Sequence, residues 1–235
     1  MEHKGPTSWL LHLPLLPHDS KYIHVNGAVL VFLGILAFSI AANRAIKGKL
    51  QANIIPSKRF GIGTIADFLV EGLYNLVIGI LGHHGEEHFS FVAALFFFIY
   101  AGNLLGLLPL SGSPTADTNT TFALGAVSFV YYNVMGIKAH GLGGYAKHFL
   151  MGLGFMGLPI ALLELISHSI RPVTLGLRLF INLHIDHMLV SAFQSLMAWV
   201  LPVPLLLFGI VVCTIQAFLF AVLSTVYIQM ATEHE

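Results

Sequence analysis

The chain has 235 residues, of which 56% are hydrophobic and only 9% charged, and its formal net charge is zero. Soluble domains carry about 25% charged residues, so a mean hydropathy of +0.82 argues against a soluble globular fold, and the balanced charge gives no basis for a nucleic-acid partner. The single cysteine, Cys213, excludes a disulfide framework or a cysteine-based metal site within one chain.

The N-terminal segment 1–22, MEHKGPTSWLLHLPLLPHDSKY, does not read as a signal peptide. Its apolar stretch is broken by His12, Pro14 and Pro17, and no small-residue cleavage site follows. The next stretch, IHVNGAVLVFLGILAFSIAAN (23–43), meets the roughly 20 apolar residues that a spanning helix needs. It is followed by RAIKGKLQANIIPSKRF, with five Lys/Arg and no acid. That density marks a cytoplasmic segment by the positive-inside rule, which puts 1–22 outside. In GIGTIADFLVEGLYNLVIGILG (61–82), Asp67, Glu71 and Asn75 are spaced four apart and form one polar stripe on an otherwise apolar helix. An interfacial helix lying on the membrane fits this better than a span.

HHGEEH (83–88) is a polar cap, and FSFVAALFFFIYAGNLLGLLPL (89–110) is an uncharged crossing. SGSPTADTNTT (111–121) is a loop by its turn-forming residues and, lacking Lys and Arg, is expected outside. FALGAVSFVYYNVMGI (122–137) returns to a second basic loop containing Lys138 and Lys147, so 89–137 is a helical hairpin with an external loop. Residues 149–232 are almost wholly apolar, with Pro202 and Pro204 as the natural turn between arms 149–200 and 203–231. Fully helical, the first arm would be about 75 Å long at 1.5 Å per residue, against a hydrocarbon core of about 30 Å. It must tilt, kink (Pro159 and Pro172 are candidates) or run partly outside the core. The expectation is one all-α membrane domain over 1–235. It would have about five membrane-crossing helices, one interfacial amphipathic helix, a tilted hairpin of the last two long helices, the N-terminus outside and the C-terminus cytoplasmic.

Two glycine patterns are misleading. GLGFMG (152–157) and GIGTIA (61–66) match dinucleotide fingerprints, but neither has the preceding strand that such a site requires, and small residues on membrane helices ordinarily permit close packing. No phosphate-binding G-x-x-x-x-G-K-[ST] occurs. Thirteen histidines raise the possibility of haem or metal. However, no two spans each carry a central histidine, and most of the thirteen read as loop or interface residues.

The informative stretch is RPVTLGLRLFINLHIDH (171–187), which sets Arg171, Arg178 and Asp186 in the apolar half of the chain, with Glu164 nearby. Ionisable groups in a bilayer are expensive and mark ion pathways, proton relays or buried pairs. On a regular helix, Glu164, Arg171, Arg178 and Asn182 share one side, Asp186 is displaced by about 80° and His187 by about 180°. Arginine is effectively never deprotonated, so Arg178 can act only as a fixed charge that repels cations and favours ionised carboxylates. Glu, Asp and His exchange protons. A fixed barrier charge with titratable groups on either side suits a gated proton path. The structural alternative is that both arginines form interior ion pairs with Glu164 and Asp186, with Arg171 able to reach an interface by snorkelling.

RPVTLGLRLFIN and TIQAFLFAVLSTVYIQMA, together with NLLGLLPL and SPTADTNTT, resemble subunit a of the F-type ATP synthases. Three separated motifs occur in the family's order over 89–232, and the N-terminal part agrees in organisation only. The resemblance implies a non-catalytic proton-channel subunit in a bacterial inner membrane, without cofactor or metal. It would work against a ring of c-subunit proteolipids and be held by peripheral-stalk b subunits, in contact with membrane lipid. Two offset half-channels for H⁺ would be separated by the essential arginine, here Arg178. By the same resemblance Asn182 and Gln216 are polar partners of that arginine, Glu164 serves the channel to the cytoplasm, and Asn103 the outer half-channel. Some bacterial members have a glutamate where this chain has His187, and a histidine where it has Gly209. The exchange reads as compensatory, with the imidazole moved to the other helix. It leaves Asp186 as the expected outer carboxylate, with Asp117 at the mouth. Another ion transporter that reuses an intramembrane arginine, or a haem or quinone protein, are the competing classes.

Overall fold

The computed structural model describes residues 23–47, 62–107, 113–150, 154–196 and 202–232. All regular structure among them is helical. The helices are α1 Ile23–Lys47, α2 Ile62–Leu81, α3 Gly85–Leu107, α4 Thr118–Leu150, α5 Gly154–Leu196 and α6 Pro202–Thr232, with short 3₁₀ turns at Gly82–His84 and Pro114–Ala116. The expected N-terminal segment 1–22, most of the basic stretch after α1, the residues between the last two helices and the final three residues lie outside the described residues.

In hydrocarbon every backbone N–H and C=O must be satisfied within the chain, and a helix does this segment by segment. Among the described residues, four helices are long and apolar enough to cross a membrane: His24–Arg44, Gly85–Leu107, Thr118–Gly141 and Pro204–Thr232. The protein is an all-α membrane protein. α5 is longer still, at 43 residues, but its arginines, histidines and acids interrupt the apolar run. At 1.5 Å per residue it is about 65 Å long, twice the thickness of a hydrocarbon core.

Three boundaries differ from expectation. α3 begins at Gly85, so Glu86, Glu87 and His88 form its first turn rather than a separate cap. α4 does not stop at 137 but runs into the expected basic loop as two helical segments that meet in a kink at Gly141, the second reaching Leu150. Its helical geometry is interrupted only at Gly141 (φ 70°, ψ 163°), a left-handed backbone region that glycine enters at little cost. α5 runs through Pro159 and Pro172 without ending at either. Pro202 is the first residue of α6, a position where the missing N–H costs nothing.

α2 has the expected stripe: Asp67, Glu71 and Asn75 are exposed, while Leu73 and Val77 are buried against the bundle. The core joins them to Val92, Leu95, Phe96 and Ile99 of α3, Tyr132 of α4, Leu175 and Leu179 of α5, and Ala217, Phe220, Ala221 and Ile228 of α6. On α6 the buried positions Cys213, Ala217, Phe220, Ala221, Ser224, Thr225 and Ile228 recur at three- and four-residue spacing, and several are small. Small residues allow helices to approach closely where lipid supplies no hydrophobic drive for association. Ser128 of α4 and Ser224 of α6 share a buried hydrogen bond of 2.9 Å across that contact.

α5 packs most extensively on α4, more than on α6. Here the backbones nearly touch. A Cβ at Gly125 would lie 2.5 Å from the Pro172 carbonyl oxygen, and one at Gly176 would lie 2.9 Å from the Thr121 carbonyl oxygen. Gly125→Ala should therefore force α4 and α5 apart and lower the amount of folded protein in membranes severalfold. Gly34→Ala, where nothing lies within 4 Å, should be neutral or slightly stabilising because alanine is the better helix former. Immunoblots of membrane-inserted protein and thermal aggregation curves check the pair; equal behaviour would mean that the close approach is unimportant.

Candidate functional site

Arg178 lies near the middle of α5, and its side chain is exposed. It lines a cleft with Leu175 and Leu179 of its own helix and with Gln216, Phe220 and Leu223 of α6. Thus α5 and α6 bring together the arginine and the glutamine that the motifs singled out. The packing explains the arrangement. Leu175, Leu179 and Leu183 are buried at a spacing of four, which turns this face of α5 toward the bundle and leaves Arg178 on its shoulder. Ala217 and Phe220 anchor α6 in the same way, which sets Gln216 half-buried at the cleft.

No ion pair joins Arg178 to any of the described residues. The surface beside it is apolar: Leu177, Ile181 and Ile185 on α5, and Phe208, Val211, Ile215 and Phe218 on α6, are all exposed. The structural alternative of interior ion pairs finds no Arg178–Asp186 pair among the described residues. Asp186 lies two turns further along α5, half-buried, within electrostatic range of buried Cys213 on α6. Asn182 lies between them, also half-buried. Glu164 and His187 are on α5 as well, but their side chains lie outside the described residues. Glu164 is fourteen residues before Arg178 and Asp186 eight after it, or about 21 Å and 12 Å along the helix. Acidic positions therefore flank the guanidinium on both sides along the helix.

Asn103 is 2% exposed on α3, and its Oδ1 has no hydrogen-bond partner among the described residues. Buried amide oxygens are rarely left unpaired, and a polar site of this kind is where ordered water resides. Around it the loop between α3 and α4 folds inward. Ser113 Oγ donates to the Gly102 carbonyl (3.0 Å) and shares a hydrogen bond with Thr115 Oγ1 (2.9 Å). A Cβ at Gly106 would meet Ser113 and Leu183 of α5, so this polar group adjoins the turn of α5 between Asn182 and Asp186.

Asp117 is not part of that group. Its Oδ1 accepts from the Asn119 N–H (2.8 Å), which caps the N-terminus of α4, and its Oδ2 lies 3.7 Å from His24 Nδ1 at the start of α1. His24 was not singled out by sequence, because the contact spans almost a hundred residues. The reading of Gly209 changes. The group that occupies its space is Leu107 of α3, 2.6 Å from where a Cβ would sit, so the small residue admits a neighbouring leucine and need not answer His187. Two histidines expected at loops or interfaces are buried: His88, bonded to Tyr131, and His168, bonded to Asn133. His168 falls seven residues before Leu175 on the same buried face, a spacing that could have revealed it. Arg171 is partly buried, with its Cζ 4.9 Å from the Tyr227 ring centroid. No group of three or more His, Cys, Asp or Glu side chains suited to a metal ion occurs among the described residues.

The chain matches the family described as ATP synthase A chain over residues 25–229, a range that takes in α1 as well as the motif-bearing half. The ATP synthase subunit a of Bdellovibrio bacteriovorus is 37% identical over 229 residues, 97% of this chain and 98% of the relative. That of Geobacter sp. strain M21 is 38% identical over 205 residues, 87% and 85% of the two chains. That of Sulfurihydrogenibium sp. is 38% identical over 184 residues, 78% and 87%.

The two roles of Asp117 are separable. Asp117→Ala should lose the cap and cost about 1 kcal/mol, whereas Asp117→Asn keeps a capping oxygen and loses only an exposed ion pair worth well under 1 kcal/mol. Thermal unfolding of the purified protein in detergent should rank the variants in that order, and the reverse order would contradict the assignment.

Proposed function

This chain belongs to the ATP synthase A chain family, and from that premise we propose that it is the non-catalytic, proton-conducting stator subunit of a rotary ATP synthase. It works against a ring of proteolipid subunits and is held by the peripheral stalk, with its N-terminus outside and its C-terminus in the cytoplasm. The observation that carries the reading is Arg178: an exposed guanidinium, without an ion-pair partner among the described residues, opposite Gln216 and surrounded by exposed leucine, isoleucine, valine and phenylalanine. A fixed charge in such surroundings calls for a carboxylate brought from outside the chain, and a passing ring of mid-membrane carboxyl groups supplies one.

The chemistry follows from protonation states. A deprotonated ring carboxylate is stabilised beside Arg178, because an opposite charge nearby favours the ionised form. It cannot leave that position for lipid as a bare charge without a large desolvation cost. A proton arriving from outside neutralises it and releases it to rotate. In this reading the outer route passes the Asp117 mouth and the polar group at Asn103, then Asn182 and Asp186, with His187 on the same turn. The inner route leaves by Glu164. Gln216 orients water or the carboxylate at the cleft. Because arginine keeps its proton, Arg178 blocks direct passage between the two routes. That block matters, since one charge crossing 100 mV carries about 2.3 kcal/mol that a leak would dissipate.

Arg178→Ala should abolish ATP-driven proton pumping by the assembled complex in inverted vesicles, and retained pumping would overturn the assignment. Arg171→Gln should be milder, because it loses mainly a ring contact worth about 1 kcal/mol. A loss equal to that of Arg178→Ala would mean that the barrier charge is elsewhere. Asp186→Asn should slow proton uptake severalfold at limiting proton concentration while leaving the complex intact; unchanged uptake would move the outer carboxylate role to another group.

A further inference from the structure

The same stretch of α5 carries a buried histidine that the proton path does not use. His168 is 8% exposed. Its Nε2 lies 2.9 Å from Asn133 Oδ1 on α4. Asn133 Nδ2 donates to the Phe129 carbonyl at 2.7 Å, which fixes the amide so that its oxygen faces the imidazole. Nε2 of His168 is therefore the donor. The ring is packed against Phe129 and Tyr132 of α4, with centroids 5.3 Å and 5.2 Å away. Tyr132 in turn meets Tyr227 of α6 at 5.8 Å, and Tyr227 receives the Arg171 guanidinium on its face at 4.9 Å. One turn of α5 is thus tied to α4 by a directional hydrogen bond and to α6 by a cation–ring contact.

We infer that His168 is a positioning residue: its bond to Asn133, with the Arg171–Tyr227 stack, sets the rotation and height of α5 on α4 and α6, so that Arg178 stays opposite Gln216. The reason is geometric. The close glycine contacts at Gly125 and Gly176 and the buried Leu175, Leu179 and Leu183 set which face of α5 meets the bundle, but apolar contacts are non-directional and do not fix its rotation and height by themselves. Arg178 sits ten residues, about 15 Å, along the helix from His168. A slip by one residue turns it by about 100°, out of its cleft. A hydrogen bond between side chains on two helices, buried in an aromatic cage, opposes that slip because the slip would break it away from water. This inference rests on Arg178 being the barrier charge.

The test uses the whole complex in inverted membrane vesicles, with two readouts. Hydrogen exchange at the amides of 165–180 reports the lock itself. Passive proton permeability after removal of the catalytic headpiece reports its consequence. His168→Leu should speed exchange roughly tenfold, the effect of about 1.4 kcal/mol for a lost buried hydrogen bond, and raise the proton leak. His168→Gln, whose amide N–H reaches where Nε2–H was, should restore both. Asn133→Leu should reproduce His168→Leu, and the double Leu variant should be no worse than either single. If His168→Leu does not accumulate, Asn133→Leu and His168→Gln carry the same comparison. Unchanged exchange in the leucine variants overturns the lock, as does failure of glutamine to restore it. Faster exchange without a higher leak overturns the positioning role. Arg178→Ala measured alongside separates the premises: pumping by that variant would sink the barrier reading while the exchange data still judge the lock.

Discussion

A guanidinium that cannot lose its proton, set on an apolar helix face with no described carboxylate beside it, is the constraint on which the architecture depends. Such a charge is costly away from water, and under the proposed function it serves a carboxylate that comes and goes. The rest of the fold keeps it in place and keeps competing charges away. Asp186, the acid that could have neutralised it from within the described part of α5, lies two turns off, within electrostatic range of Cys213. Gln216, the polar group that does share its cleft, is neutral. An internal carboxylate at that place would satisfy Arg178 permanently, which the proposed exchange of ring carboxylates would not allow.

The buried polar groups divide into two kinds. Ser128 with Ser224, His88 with Tyr131, and His168 with Asn133 are closed pairs that join one helix to another. They behave as polar contacts between membrane helices do, each worth about a kcal/mol and more valuable for direction than for strength. Asn103 is of the other kind. Its oxygen is buried without a described partner at the place where the loop between α3 and α4 folds against α3 and adjoins α5. A closed pair holds a structure together, whereas an open acceptor next to a polar loop can hold water. The contrast gives the Asn103 neighbourhood a role that burial alone would not.

The packing of α4 on α5 links these observations. Gly125 and Gly176 let the two backbones meet, the N-terminal end of α4 is capped by Asp117, and the His168 bond lies further along the same contact. The long, charged α5 is thus carried by its preceding helix more than by the α6 hairpin partner. α6 contributes the small-residue stripe and the far wall of the Arg178 cleft. The functional cleft is a seam between two helices that are each anchored elsewhere.

Much of this was legible in the sequence. Apolar length, lysine and arginine placement and the four-residue stripe of Asp67, Glu71 and Asn75 specify the membrane class, the helices and the amphipathic α2, because each depends on local periodicity and on the cost of placing polar groups in lipid. The order of motifs identified the family and singled out Arg178 and Gln216. What one dimension cannot carry is which faces meet. The continuation of α4 past Lys138 depended on a glycine that tolerates a left-handed backbone in mid-helix. Leu107 filling the space at Gly209, His24 reaching Asp117 and His168 finding Asn133 all join residues far apart in the chain, and only the three-dimensional packing of the helices could decide them. The sequence by itself determined that a permanent charge must sit in an apolar helix with Asp186 two turns away; the tertiary structure decided that it would have no described partner there, because α6 sets leucine, phenylalanine and glutamine at its cleft.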